Sequence, residues 1–477
     1  DSLAFLIDVT SMFTGNVEKL APVSNSGGTV EITATFNSSG SILDDIKAFD
    51  DNVTVKSYLS YSVTAKMLGI LLLKRNEPLT VKATRTSLLL PEEKMHPRIS
   101  DSRLGVFLTN AKQHISTDQD KIQSYTLATR WKLEPKDMEA YKRGELVEPV
   151  KPIVYYLDDA FPEAWKEPMR RGTLRWNKAF EKIGFKNAII GKMAPTPEED
   201  PDFSIEDIRY SVISYKASLV ANAYGPHMAD PRSGEILCSH IGIFHNVMAM
   251  VQQWYFCQAA ASDPRVRQYP MPEEAIGDVM RFVVAHEVGH TLGLRHNFGA
   301  SSTYPVEKLR DREFVKKHGH TASIMDYARI AQPEDKIDTK DLIPGIGMYD
   351  EFAIEWGYRY FPGMKLNEET AYLRKWVSEK YKEDPKYWFG TELDMSDPRW
   401  QSEDLGDNSM KASEYGIKNL KLIMNNLEAW TKGDDDEATY LKMIYNGVLN
   451  QYMYFVTHVL KNVAGRYSET PLRSEPG

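Results

Sequence analysis

At 477 residues the chain is too long for one hydrophobic core, so two or three domains are expected. Its 42% apolar and 26% charged content is ordinary for a soluble globular protein, and a net charge of −9 argues against nucleic acid or an anionic membrane as a main partner. No run reaches the ~18 apolar residues of a membrane span, and the apolar stretch 69–73 is far too short. The first residue is Asp, which reads as a processed chain and leaves a signal peptide unassessed. Only Cys238 and Cys257 are present. Two cysteines make no disulfide framework, and free buried thiols are expected over a pair.

Residues 1–150 read as mostly β. Val30, Ile32, Ala34 and Phe36 alternate with Glu31, Thr33 and Thr35, as a half-buried strand requires. A second strand starts at Val53. A hairpin turn is expected across 74–78, with Leu79, Val81 and Ala83 on the return strand. His96 and His114 are lone histidines with no catalytic company. The two prolines in 148–152 read as a linker. A strand at 153–157 follows, then a helix from about Pro162. Met169, Thr173, Trp176, Phe180 and Ile183 line one face of that helix, and Gly184 stops it. Residues 188–190 and 208–215 are further strands.

The loop 224–234 is rich in Gly, Pro and Asp, and Asp230 with Arg232 reads as a pair that locks its turn. A strand at 235–243 comes next. His227, His240 and His245 are close in sequence, but their spacing fits no strong metal template, and separate structural roles are favoured. The tripeptide Asp-Pro-Arg recurs at 263–265 and 397–399, too irregularly for a repeat. A helix over 247–261 precedes a second one that starts near Pro272, a favoured first-turn residue, with Glu273 and Glu274 suiting the helix dipole. Ile276, Val279, Val283 and Val284 give it an apolar side.

That helix carries the chain's central motif, His286-Glu287-Val288-Gly289-His290 followed by Gly293 and His296. His286 and His290 lie one turn apart on one face. Two imidazoles so placed can hold one metal ion, and Glu287 stands where it can take a proton from a water on that ion. A third ligand further along the same helix would point away. Gly293 can adopt positive φ, end the helix and send the chain back, so that His296 completes the set. Three neutral imidazoles leave a fourth position open, as catalytic zinc sites do. The five-residue core alone is a weak signal; Gly and His at fixed positions after it make a chance match rare.

The extended motif resembles that of the metzincin clan of zinc endopeptidases. Ser323-Ile324-Met325-Asp326-Tyr327 fits the clan's Met-turn, with Met325 packed beneath the metal. Tyr two residues after the Met resembles the astacin and serralysin pattern, in which that Tyr is a switchable fifth ligand. Asn297, after the third His, differs from the residue typical of the better-known subfamilies. The wider text, FPEAW, NAYGPHMADPRSGEIL, VVAHEVGHTLGLRHNFGAS and SIMDYARI, resembles the large bacterial zinc-dependent metalloproteases with an EcxA-like (toxin A-subunit-like) peptidase domain.

The resemblance implies a zinc endopeptidase. Zn2+ would sit on His286, His290 and His296, with Glu287 as general base and Tyr327 as catalytic partner of the oxyanion. It implies a protein or peptide substrate and an extracellular or bacterial-envelope location. The strand 235–243 would be the antiparallel edge above the cleft. A pseudo-enzyme that binds without cleaving, and a hydrolase of non-peptide amides, remain as alternatives. The expected fold class is α+β multidomain. A β-rich N-terminal domain would span 1–150, and a metzincin-type α/β catalytic domain 151–363, with a mixed twisted sheet, active-site helix and Met-turn. A helical C-terminal region would span 364–477. Within the catalytic domain, His318 and His320 are expected to be exposed, and 349–356 forms its short last helix.

The C-terminal region shows one helix with Ile417, Leu420, Met424 and Leu427 on a face, and another with Leu441, Ile444, Val448, Phe455 and Val459. The acidic loop 433–436 and the group Asp404, Asp407 and Asn408 are candidate structural Ca2+ ligands, weighed against a helix-capping role.

Overall fold

The structure, a computed structural model, describes residues 6–27, 29–117, 120–329, 342–394, 396–433 and 438–468. It divides into two compact units, Asp1–Glu92 with Pro197–Arg209, and Glu93–Thr196 with Tyr210–Gly477.

In the first unit a short helix α1 (Thr10–Thr14) precedes an antiparallel three-stranded sheet of β1 (Val30–Ala48), β2 (Asn52–Met67) and β3 (Leu71–Leu88). The central strand supplies the core, with Val55, Leu59 and Tyr61 buried. The hairpin turn is not at 74–78. The chain reverses at 68–70, where Leu68 and Gly69 take φ of 51° and 69°. Pro78 lies inside β3 instead. It is tolerated there because β3 is an edge strand, whose outer N–H groups have no partner to lose. The segment 197–209 joins this unit through Glu206, which pairs with Lys47 and Lys56, and through Asp207, which accepts from Asn52 Nδ2 at 2.8 Å.

The second unit starts well before the expected boundary near 150. It opens with β4 (Lys112–His114), β5 (Gln123–Tyr125) and α2 (Met138–Lys142). Its main sheet contains β6 (Ile153–Leu157), β7 (Ile189–Met193), β8 (Ser211–Lys216), β9 (Ala223–Tyr224), β10 (His227–Ala229) and β11 (Ile236–Phe244). The order is β10-β11-β8-β6-β7, with β9 also paired to β11. β11, β8, β6 and β7 run parallel; β9 and β10 lie antiparallel on β11. The expected antiparallel edge at 235–243 is therefore an interior parallel strand. It is buried from both faces, as its Ile and Cys content suits. The antiparallel edge is the stretch 223–229, split by Gly225 and Pro226.

The helix expected from Pro162 is two helices, α3 (Glu163–Leu174) and α4 (Asn177–Glu181), ended by Gly184 at φ 94°. α5 (Val247–Ala259) and α6 (Glu273–Thr291) follow. α3 crosses α6 closely at Gly172, where a Cβ would lie 2.6 Å from the Arg281 carbonyl oxygen. Then come α7 (Arg312–His318), α8 (Met348–Tyr358), α9 (Leu366–Glu383), α10 (Ser409–Trp430) and α11 (Thr439–Leu460). The last two pack on each other and on α5, so the helices after 364 share the core of this unit. The inward face of α10 holds Gly416, Leu420, Ile423 and Leu427, while the expected Met424 is exposed. Among the described residues no helix is long and apolar enough to cross a membrane.

Each Asp-Pro-Arg builds the same small turn. Asp230, Asp263 and Asp397 accept from the backbone N–H and the guanidinium of the residue two places on. Asp101-Arg103 and Asp207-Arg209 do so without the proline. The device gives a buried carboxylate most of its partners within three residues, with Asn52, Tyr255 and Ser468 adding one more each at Asp207, Asp263 and Asp397. Cys238 and Cys257 are free and buried.

Candidate metal centre

α6 begins at Pro272, as its first-turn chemistry implies, and delivers His286, Glu287 and His290 to one buried face. Gly293 takes φ 92° and ends the helix. The turn fits against the chain at Thr129, where a Cβ on Gly293 would stand 2.2 Å from the Thr129 carbonyl oxygen. Phe107 N donates to the Gly293 carbonyl and Arg295 N to the Gly105 carbonyl, at 2.7 and 2.9 Å. The stretch 105–131, expected in a separate N-terminal domain, thus cradles the turn that brings His296 back.

His286, His290 and His296 each offer a nitrogen within 4.8 Å of the others. His286 Nδ1 donates to the Ile324 carbonyl at 2.8 Å and His290 Nδ1 to the Leu294 carbonyl at 2.9 Å. These bonds assign the tautomer and leave both Nε2 lone pairs facing inward. His286 Nε2 is buried with no partner, and His290 Nε2 is 3.2 Å from His296 Nε2. Burial, with the neighbouring histidines, holds the His286 imidazole well below its usual value and pushes that of His296 down to about 3; burial lowers His290 as well. Three neutral, inward-facing imidazoles with an orphaned lone pair fit a zinc ion.

Glu287 is 8% exposed, and burial pushes its carboxyl up to about 8. Gly225, between β9 and β10, lies against it; a Cβ there would be 2.5 Å from the Glu287 carbonyl oxygen and 3.2 Å from its Oε2. His227 fastens this edge to α6. Its Nε2 is 2.9 Å from Thr129 Oγ1, its ring bonds to the His290 backbone, and it meets Phe107 edge-on. Tyr327 stacks on His286 with ring centres 5.1 Å apart and lies 4.7 Å from the His296 ring. It keeps 39% exposure, and burial with Glu287 nearby pushes its hydroxyl up to about 12.

Met325 is fully buried beneath the histidines. Gly289 makes room for it, because a Cβ there would stand 2.2 Å from Met325 Sδ. Two residues that the sequence did not mark as functional hold this turn. Asp350 of α8 accepts from Ser323 Oγ at 2.6 Å, Ile324 N at 2.7 Å and Gly347 N at 2.7 Å. Asn297 gives its backbone N–H to the Met325 carbonyl and its Nδ2 to the Trp388 carbonyl, and its Oδ1 accepts from Gly390 N. Its departure from the familiar subfamilies was the available signal. For Asp350 there was none, since an Asp near a helix start normally reads as a cap.

The other candidates lie apart. His240 bonds to Ser214 and His245 to Tyr215, so these two and His227 form no common group. Of the two histidines expected to be exposed, His320 is 1% exposed and His318 is half-buried. Asp404 accepts from Ser301, Asp407 from Val306 N and Asn408 from Lys411 N, each on its own. Most of the acidic loop 433–436 lies outside the described residues. His96 pairs with Glu369 at 3.3 Å.

Residues 268–477 match the family model described as Met-zincin, and the three histidines in that stretch fit a metzincin zinc site. Residues 1–136 match a domain of unknown function, DUF5117. No curated protein and no solved structure gives a significant match.

Proposed function

We propose that the chain is a zinc metallopeptidase that cleaves internal peptide bonds. The observation that carries this reading is the convergence of three neutral imidazoles beside the buried carboxyl of Glu287, the residue that follows the first of them on α6. His286, His290 and His296 would hold the ion, which supplies Lewis acidity to a scissile carbonyl and to an attacking water. Glu287 takes the water's proton on its carboxylate and delivers it to the departing amine. Tyr327 donates its hydroxyl proton in a hydrogen bond to the oxyanion. The short edge at β9 and β10 offers main-chain groups to an extended peptide, which favours a protein or peptide substrate. An extracellular or envelope location belongs to the same reading and rests on the resemblance.

The test is hydrolysis of a mixed peptide library by the zinc-loaded chain, with products read by mass spectrometry. Cleavages inside peptides support an endopeptidase. Removal of terminal residues only, or cleavage confined to small non-peptide amides, contradicts it.

A further inference from the structure

A cavity of about 260 Å³ has none of the three histidines in its lining. Its lining includes Arg98, Arg130, Lys132 and Arg359 against the carboxylates Glu134 and Glu369, with Phe361 as an apolar wall. Both carboxylates are already engaged. Glu369 binds Arg98 at 2.9 Å and His96 at 3.3 Å, and Glu134 lies 3.8 Å from Lys132. Arg98 also donates to the carbonyls of Trp356 and Arg359, and Arg359 pairs with Glu355.

Arg130 is left over. It is 8% exposed, it gives one hydrogen bond, from Nη2 to the His96 carbonyl at 2.6 Å, and its Nε is buried without a partner. No described carboxylate is within 4.0 Å of its guanidinium. Glu235 meets Arg130 through a main-chain bridge and as a nearby charge, without a direct ion pair, and one of its carboxylate oxygens is itself buried with no partner among the described residues. Burial and the nearby Arg98 charge push Arg130 down to about 9, more than the opposing charges of Glu369 and Glu235 offset. A buried guanidinium with an unpartnered Nε and no direct carboxylate pair is costly, and its planar fork of donors matches an oxyanion.

We propose that this cavity binds a small oxyanion, a phosphate or a carboxylate, with Arg130 as its main anchor. Lys132 and Arg359 form the more exposed cationic rim, and Phe361 supports Arg98 and Arg359, whose guanidinium carbons lie 5.5 and 5.7 Å from its ring centre. The ligand gives Arg130 the direct oxyanion contact that no described carboxylate makes.

Calorimetric titration of the full chain at fixed ionic strength tests this, with sodium phosphate in one arm and sodium acetate in the other. Chloride at matched strength is the control. One-to-one binding in either arm, weakened about tenfold or more by Arg130→Met, is the expected result. Binding in the phosphate arm alone identifies a phosphate site, and in the acetate arm alone a carboxylate site. Should Arg130→Met fail to fold, Lys132→Gln with Arg359→Gln at the rim carries the test and must weaken binding. Binding in neither arm, or binding unchanged in the folded variants, overturns the proposal. Peptide hydrolysis enters neither readout, so the two proposals stand or fall separately.

Discussion

The backbone N–H of Asn297 donates to the carbonyl of Met325 at 3.1 Å, which ties the residue after the third histidine to the methionine beneath the site. The same Asn297 side chain reaches the Trp388 carbonyl at 2.9 Å and Gly390 N at 2.8 Å. One residue therefore joins the His296 turn, the Met-turn and a segment some ninety positions later, about as far as its hydrogen-bonding capacity allows.

Asn297→Ala should leave the Gly390 N–H and the Trp388 carbonyl without their side-chain partner. The expected loss is about 1–3 kcal/mol of unfolding free energy, with weaker zinc retention. Denaturant unfolding and zinc competition against a chromophoric chelator measure the two effects. Unchanged values in both would show that the 388–390 segment does not steady the site.

Gly289→Ala should be poorly tolerated. The new methyl would meet Met325 Sδ at 2.2 Å and Trp176 Cζ2 at 2.7 Å. Overpacking of this kind costs about 1–3 kcal/mol. Met325→Ala added to Gly289→Ala should recover part of that loss, which a double-mutant cycle reads directly.

The buried carboxyls of Asp326 and Asp404 share Ser301, whose N–H and Oγ donate to them at 2.6 and 2.7 Å. Burial raises both, Asp326 with Asp404's charge as a further cause. In the unfolded chain they ionise at the ordinary value of 3.8. The folded state therefore binds more protons above that value, and stability falls as pH rises towards neutrality. Asp404→Asn removes one titrating group and keeps an acceptor for Ser301. Its stability relative to the parent should improve steadily from pH 4 to about 7. A constant difference across that range would contradict the assignment.

Zinc removal should lower the thermal midpoint. The ion links α6 to the returning turn at His296, and zinc at 100 times its dissociation constant adds about 2.7 kcal/mol. Chelation followed by calorimetry should show the drop, and added zinc should reverse it. His296→Ala should abolish the difference between the two forms.

What the sequence made legible was local. The motif at 286–296 combines two histidines one helical turn apart with a glycine turn at Gly293, so periodicity and backbone freedom suffice to gather it. The start of α6 after Pro272 was readable from its first-turn chemistry, and the Met-turn residues through the metzincin resemblance. The sheet order was not. Whether the strand at 236–244 runs parallel inside or antiparallel at the edge depends on pairing with β8, some 28 residues earlier, and both settings suit an apolar strand. The hairpin turn was misplaced because Lys-Arg-Asn-Glu-Pro carries stronger turn composition than Leu-Gly-Ile, yet the chain reverses at Leu68 and Gly69, while Asn76, also at positive φ, lies within β3. The support from 105–131 left no periodic trace, since it bonds to the α6 turn through single backbone bridges. Asn297 stood out in the sequence, but its partners 91 and 93 residues away did not.

The most direct measurement compares peptide cleavage by the zinc-loaded chain with that of Glu287→Ala, each carrying one zinc per chain. The account predicts internal cleavage by the parent and a loss of at least a hundredfold in the variant, whose zinc content is unchanged. Equal cleavage by both would contradict the role given to Glu287.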